Sequence, residues 1–384
     1  MANRDNSQVA RRRHAPLMFI AAGLILLMLV GCGGPSAEEL NAVDFSPLPG
    51  DDWPVSTPQD QGLDPQLIAE LYYNAAEMET LFGLLVVKDG QLVAEKYFNE
   101  GSIDQQVLLQ SATKSYISAL VGLALDQGCL LSVEQKMMDF FPEYADEISD
   151  PRKKQITIRD LLQMRSGYPW EESDPALWEA HLPGDWPPLI VGFPLVSDPG
   201  DAFHYSNLTA YWLGVIVSRA CETDLRTFAE EYLFSPLDVE LGEWWQDKYD
   251  YYFPFFHFSA RDAARFGQLY LDDGLYAGNQ ILPADWVRDS LQVYSNDPFV
   301  LEDASRHLDD VGYGYQWWSA RAGDQPLKLA WGHGGQLIIL LPDLDMVIVT
   351  TADPFFQQHD DQAWKHEKSI INLVSEFIAS LPAE

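Results

Sequence analysis

The chain has 384 residues, 47% of them hydrophobic and 12% aromatic, enough for a large buried core and no case for disorder. Its formal charge of −34 repels phosphate backbones and anionic lipid alike, which argues against a nucleic-acid partner. Proline and glycine are dispersed, with no internal repeat and no low-complexity stretch.

At the N-terminus, Arg11, Arg12 and Arg13 precede an apolar run from Ala15 to Val30. That run is short for a membrane span and fits the hydrophobic region of a secretory signal. It ends Leu29-Val30-Gly31-Cys32, which resembles a bacterial lipobox, where the cysteine is lipidated and becomes the new N-terminus. Residues 1–31 are therefore expected to be a lipoprotein signal peptide and Cys32 the lipidation site. Residues 32–52 are expected to be a linker, and residues 53–384 an exported domain held at the membrane by its lipid alone. Cys129 and Cys221 each end an apolar helical stretch, and they are expected as two separate buried thiols rather than a disulfide.

Further along, helical periodicity runs from about Leu67 to Met78. The apolar segment Leu81–Val87, a Lys88-Asp89-Gly90 turn and Leu92–Phe98 read as a β-hairpin. From there to about residue 272, helical patterns alternate with loops rich in Trp and Pro. Strand character returns at Tyr313–Trp318, Leu327–Trp331, Leu337–Leu341 and Met346–Thr351, and Gln362–Ile378 reads as a helix. The fold class expected is α+β. An antiparallel sheet is built from both chain ends and flanked by helices, with an inserted, mostly helical lobe at roughly residues 111–272. A cleft between such lobes is where a site is expected.

Ser111-Ala112-Thr113-Lys114 is the only Ser-x-x-Lys in the chain, and an apolar helix follows it. Lys114 shares the face of Ile117 and Val121, so burial lowers its pKa and makes a neutral amine accessible near pH 7. Ser111 lies one turn earlier, within reach of that amine and near free backbone N–H groups. A weak nucleophile beside a basic amine, with donors ready for an oxyanion, is what acyl transfer requires. The bland alternative is a helix-capping serine with a snorkelling lysine.

Two further segments join this one. In Tyr205-Ser206-Asn207, before the apolar helix Leu208–Val217, a phenol and an amide are presented at the mouth of a helix, and the phenol can relay protons. In Trp331-Gly332-His333-Gly334-Gly335-Gln336, glycines beside a strand permit close approach of a ligand to the backbone. The Gln336 N–H is a candidate second oxyanion donor, with that of Ser111.

Ser-x-x-Lys, Tyr-Ser-Asn and His-Gly-Gly, in this order and at this kind of separation, resemble the class C β-lactamase-like serine hydrolases. That group includes β-lactamases, DD-peptidases, family VIII esterases and 6-aminohexanoate-dimer hydrolases. Ile156–Gly167, Ser259–Gly267 and Tyr313–Trp318 resemble the family as well, and the likeness runs from about residue 55 to the end. The resemblance implies a β-lactamase/transpeptidase-like fold, with Ser111 as acylated nucleophile and Lys114 as base. It implies that Tyr205 shuttles a proton to the leaving group and later activates water, and that Asn207 orients the substrate or Lys114. His333 departs from the Lys-Thr-Gly of true β-lactamases. A largely neutral imidazole supplies little positive field at pH 7, and Gly334 lacks a hydroxyl, so ester or amide hydrolysis is favoured over β-lactam hydrolysis.

Tyr168, just after Ser166-Gly167, is a candidate substrate contact, whereas loop aromatics of this kind more commonly serve in packing. No metal-ligand motif and no phosphate-cradling loop occurs, so no metal and no cofactor is expected. The expected activity is hydrolysis of a small ester, amide or short peptide through an acyl-enzyme. The alternatives are DD-peptidase or β-lactamase action and a non-catalytic binding protein of the envelope.

Overall fold

The computed structural model describes residues 34–50, 52–181, 184–296, 305–356 and 362–382. The segment expected to be a signal peptide, and Cys32, lie outside the described residues. In chain order the strands begin with β1 (Leu81–Lys88), β2 (Gln91–Tyr97), β3 (Val107–Leu108), β4 (Trp244–Gln246), β5 (Tyr252–Phe258), β6 (Leu275–Tyr276) and β7 (Asn279–Gln280). They continue with β8 (Asp309–Tyr313), β9 (Trp318–Ala322), β10 (Gln325–Gly332), β11 (Gln336–Leu341) and β12 (Met346–Ala352).

The main sheet has the order β2-β1-β12-β11-β10-β9-β8, with every pairing antiparallel. Its two N-terminal strands join the C-terminal set through β1 and β12, where Leu85 lies opposite Val349. This is the sheet from both chain ends that the pattern of the sequence predicts. All residues of β11 and β12 are buried, because the sheet is covered on both faces. The helix Ala260–Leu271 packs on β11 and β12 from one side. On the other face, Ile68, Leu71 and Tyr72 of the helix Pro65–Ala75 share a core with Ile370, Val374 and Phe377 of the helix Gln362–Ser380.

The inserted lobe centres on two buried helices, Thr113–Asp126 and Asn207–Ala220, packed on one another. Its regular structure is mostly helical, but it also carries a small sheet that the sequence pattern does not anticipate. β3, β5 and β4 form a small sheet, and Val107 pairs with Phe258 four residues before Ser111. Three further expectations need correction. Tyr313–Trp318 is not one strand: β8 ends at Tyr313, and a turn with Gln316 at φ 61° leads into β9. The stretch expected as linker is docked onto the domain well before residue 52, since Phe45 O accepts from Glu95 N at 2.9 Å and Leu48 O accepts from Arg261 at 2.8 Å. Finally, Cys129 and Cys221 are joined in a disulfide with Cα atoms 4.9 Å apart. Each cysteine follows the C-terminal end of one of the two packed helices, and that packing brings together thiols that the sequence alone leaves apart.

Candidate active site

The nucleophile turn is a single 3-10 turn, Gln110–Ala112, leading into the helix Thr113–Asp126. Gln110 has φ 50°, a left-handed conformation that costs energy for a residue with a Cβ and is held here by its surroundings. Thr113 Oγ1 donates to Gln110 O at 2.6 Å and also to Pro254 O of β5, so the small sheet anchors the turn. One helical turn on, Lys114 is 1% exposed, and its Nζ donates to Ser111 Oγ at 2.7 Å and to Asn207 Oδ1 at 2.9 Å. Burial pushes the Lys114 ammonium down to about 8, against the opposing pull of the Glu172 and Glu171 carboxylates.

Tyr205 lies across from this pair, with Lys114 Nζ 5.0 Å from its ring centre and its ring stacked on Trp318 at 5.7 Å. Burial holds its phenol protonated above the ordinary tyrosine range, and a hydrogen bond with Ser111 opposes that only in part. Asn207 is buried as the first residue of its helix, and it serves Lys114 rather than standing free in the cleft.

Two neighbouring carboxylates fix this corner, and the sequence gives little sign of either. Glu171 is fully buried, accepting from Ser206 Oγ at 2.5 Å, from Asn207 N at 3.0 Å and from Leu208 N at 3.2 Å. It thereby caps the helix with negative charge at the positive end of the helix dipole. Glu172 is exposed, and its Oε1 accepts from Asn207 Nδ2 at 2.9 Å.

The third segment forms the opposite wall. A Cβ on Gly332 would collide with Leu109 O and lie 3.0 Å from Ala112 N, so the end of β10 runs hard against the nucleophile turn. Gln336 is the register partner of Gly332, which sets its backbone beside that turn. The Gln336 side chain is engaged elsewhere, donating to Ala352 O at 2.8 Å and accepting from Ala352 N at 3.0 Å. Gly334 and Gly335 make the turn with φ 89° and 97°. Glu367, from the C-terminal helix, reaches beneath it. This buried carboxylate accepts from Trp331 Nε1 at 2.7 Å, from Gly334 N at 2.9 Å and from His333 Nδ1 at 2.8 Å.

Glu367 changes the reading of His333. The expected largely neutral imidazole is instead drawn toward its cationic form, first by the Glu367 hydrogen bond, against the effect of burial. Tyr168 also needs correction. It is fully buried, its hydroxyl donates to Ile190 O at 2.9 Å, and its ring packs 4.7 Å from that of Trp212. It is a core residue of the lobe and not a substrate contact. Among the described residues no group of three His, Cys, Asp or Glu side chains is disposed to hold a metal ion. A separate open depression lined by Asp52, Arg261, Asp262 and Arg265 shares no residue with the Ser111 cluster.

A family model described as beta-lactamase matches residues 78–369, a span that contains all three segments of this cluster. The chain belongs to the beta-lactamase family. Within that serine hydrolase superfamily it is 26% identical to the 6-aminohexanoate-dimer hydrolase of Paenarthrobacter ureafaciens, over 69% of this chain and 70% of that protein. Two further curated relatives match over 38% and 43% of this chain, but only 27% and 35% of their own length. Among solved structures, a putative 6-aminohexanoate-dimer hydrolase from Bacillus anthracis superposes with TM-score 0.61 and 22% identity, covering 79% of this chain and 81% of that one. EstCE1, a hydrolase with promiscuous acyltransferase activity, superposes with TM-score 0.62 and 14% identity over 81% and 99% of the two chains. Both confirm the β-lactamase/transpeptidase-like fold.

Proposed function

We propose that this member of the beta-lactamase family hydrolyses an ester or amide bond of a small molecule or short peptide through an acyl-enzyme on Ser111. The observation that carries the proposal is the 2.7 Å contact between Ser111 Oγ and a fully buried amine with its pKa brought to about 8. A useful fraction of that amine is neutral at neutral pH, and it is already oriented on the nucleophile.

In the first step Lys114 takes the Ser111 proton as Oγ attacks the carbonyl carbon. The main-chain N–H groups of Ser111 and Gln336 receive the oxyanion. Tyr205 delivers a proton to the departing alcohol or amine, and the Lys114 proton replaces it. Water then attacks the acyl carbon by the reverse relay, giving a free acid and regenerating the Ser111 hydroxyl. The opposite displacements of Lys114 and Tyr205 favour this division: the lysine is a base near neutral pH, and the tyrosine stays protonated until it gives its proton away.

Carboxylesterase or short-amide hydrolysis, of the kind its 6-aminohexanoate-dimer hydrolase relative is named for, is favoured over β-lactam hydrolysis. His333 carries more positive charge than a free imidazole, but Glu367 lies 2.8 Å away and cancels much of its field. DD-peptidase action and non-catalytic binding at the envelope are the competing readings. A panel of p-nitrophenyl esters, short amides, D-Ala-D-Ala peptides and β-lactams, assayed with wild type and Ser111→Ala, separates them. Turnover of esters or amides that is lost in the variant supports the proposal, and a folded protein inert to the whole panel contradicts it.

An exported, lipid-anchored location follows from Cys32. The Cys129–Cys221 disulfide supports export, because such bonds persist outside the cytoplasm. Incorporation of labelled fatty acid that is lost in Cys32→Ala tests the anchor, and equal labelling of the variant removes it.

A further inference from the structure

We propose that Glu172 is a positioning residue that locks the Asn207 amide in the one orientation compatible with Lys114 acting as a base. This inference rests on the serine hydrolase reading of the same site. An amide can present either edge, and its partners decide which. A carboxylate only accepts, so Glu172 Oε1 takes the Nδ2 edge at 2.9 Å and turns Oδ1 toward Lys114 Nζ, also at 2.9 Å. With Oδ1 in that place, a neutral amine donates one N–H to Asn207 and keeps its lone pair for the Ser111 proton. Turned over, Nδ2 would compete for the lone pair and idle the base. The adjacent Glu171 holds the Asn207 main chain at 3.0 Å, so two neighbouring residues fix the backbone and the side chain separately.

Glu172 carries a second consequence, through charge. The charged and titratable groups facing Lys114 are Glu171, Glu172, Tyr205 and, farther off, His181, whose own pKa the Lys114 charge helps to lower. Of the two carboxylates, Glu172 contributes the larger upward pull on the Lys114 pKa, and its charge also reaches Tyr205 and His333. Removing that charge lowers the pKa of Lys114 and extends base catalysis to lower pH.

Two variants separate orientation from charge. E172L removes the acceptor, whereas E172Q keeps a carbonyl for Asn207 Nδ2 and removes only the charge. The rate of Ser111 modification by a fluorophosphonate is followed against pH in both variants, with thermal melting to confirm folding. E172L should react about tenfold more slowly at pH 8, a partial loss below the roughly 10²–10⁴-fold that a general base contributes in full. E172Q should recover most of the rate, with the midpoint of its pH curve lowered by about half a unit. Lysine-selective NMR of the Lys114 Nζ reads the same displacement without any substrate. An E172L rate equal to wild type, or a Lys114 titration unmoved in E172Q, overturns the proposal. A wild-type Ser111 that never reacts refutes the hydrolase reading instead, and the NMR titration still decides whether Glu172 is coupled to the amine.

Discussion

Glu367→Gln probes the floor of the site most sharply, because one buried carboxylate there accepts from three donors. Trp331 Nε1, Gly334 N and His333 Nδ1 all converge on it at 2.7 to 2.9 Å, and its side chain is 1% exposed. A glutamine offers a single carbonyl oxygen and an NH2 group, so at least one of the three donors loses its acceptor and the others lose charge assistance. Hydrogen bonds to charged groups contribute about 1.5–3 kcal/mol each, so the variant should be destabilised by roughly 2–4 kcal/mol. The loss should depend on pH. Glu367 raises the pKa of His333 above its ordinary value of 6.5. The stabilisation from that pair is therefore fully present below pH 6.5 and fades as pH rises through the folded-state pKa. Urea unfolding at pH 5.5 and pH 8.5 should show the larger deficit at pH 5.5, and acylation should slow as the Gly334–Gln336 backbone shifts relative to Ser111. Equal stability of variant and wild type at both pH values, with an unmoved His333 titration, would refute this account of the turn.

The rate of acylation should climb about tenfold from pH 6 to pH 7 and level off above pH 8, following deprotonation of an amine with a pKa near 8; a flat profile over that range would show that Lys114 is not the base. Lys114→Met should cost roughly 10²–10⁴ in acylation rate with little change in substrate KM, measured by single-turnover kinetics. Tyr168→Phe removes one of the two donors to Ile190 O, the other being Lys153 Nζ at 2.9 Å, and should cost about 0.5–1.5 kcal/mol of stability while KM stays the same, so a raised KM in a stable variant would restore Tyr168 to the substrate pocket. Replacing both Cys129 and Cys221 with serine opens a link across 92 residues and should lower stability by about 2–4 kcal/mol by chemical unfolding.

What was legible in the sequence was local chemistry and periodicity. Ser111 and Lys114 lie one helical turn apart, so their contact follows from helix geometry once the helix is recognised. The strands at both chain ends announce themselves by apolar runs and turns, although their order in the sheet does not. Contacts made by tertiary packing were not legible. Glu367 lies in a helix 34 residues after His333 and reaches it only because that helix covers the sheet. Glu171 and Glu172 look like ordinary surface acids after Trp170 until the loop folds over the start of the Asn207–Ala220 helix. The disulfide needed the packing of two helices, and Tyr168 resembled a pocket aromatic because its hydroxyl partner, Ile190, lies in a different segment. β5 left an unread signal of another kind: Tyr252–Phe258 is a run dominated by aromatic residues, which favour strands.

The most direct test of the central claim is covalent labelling of the protein beginning after Cys32 with a fluorophosphonate, the adduct mapped by mass spectrometry. The account predicts a single adduct on Ser111, absent from Ser111→Ala and formed more slowly below pH 7. A folded protein that remains unlabelled, or one labelled on another residue and unaffected by the Ser111 substitution, would contradict it.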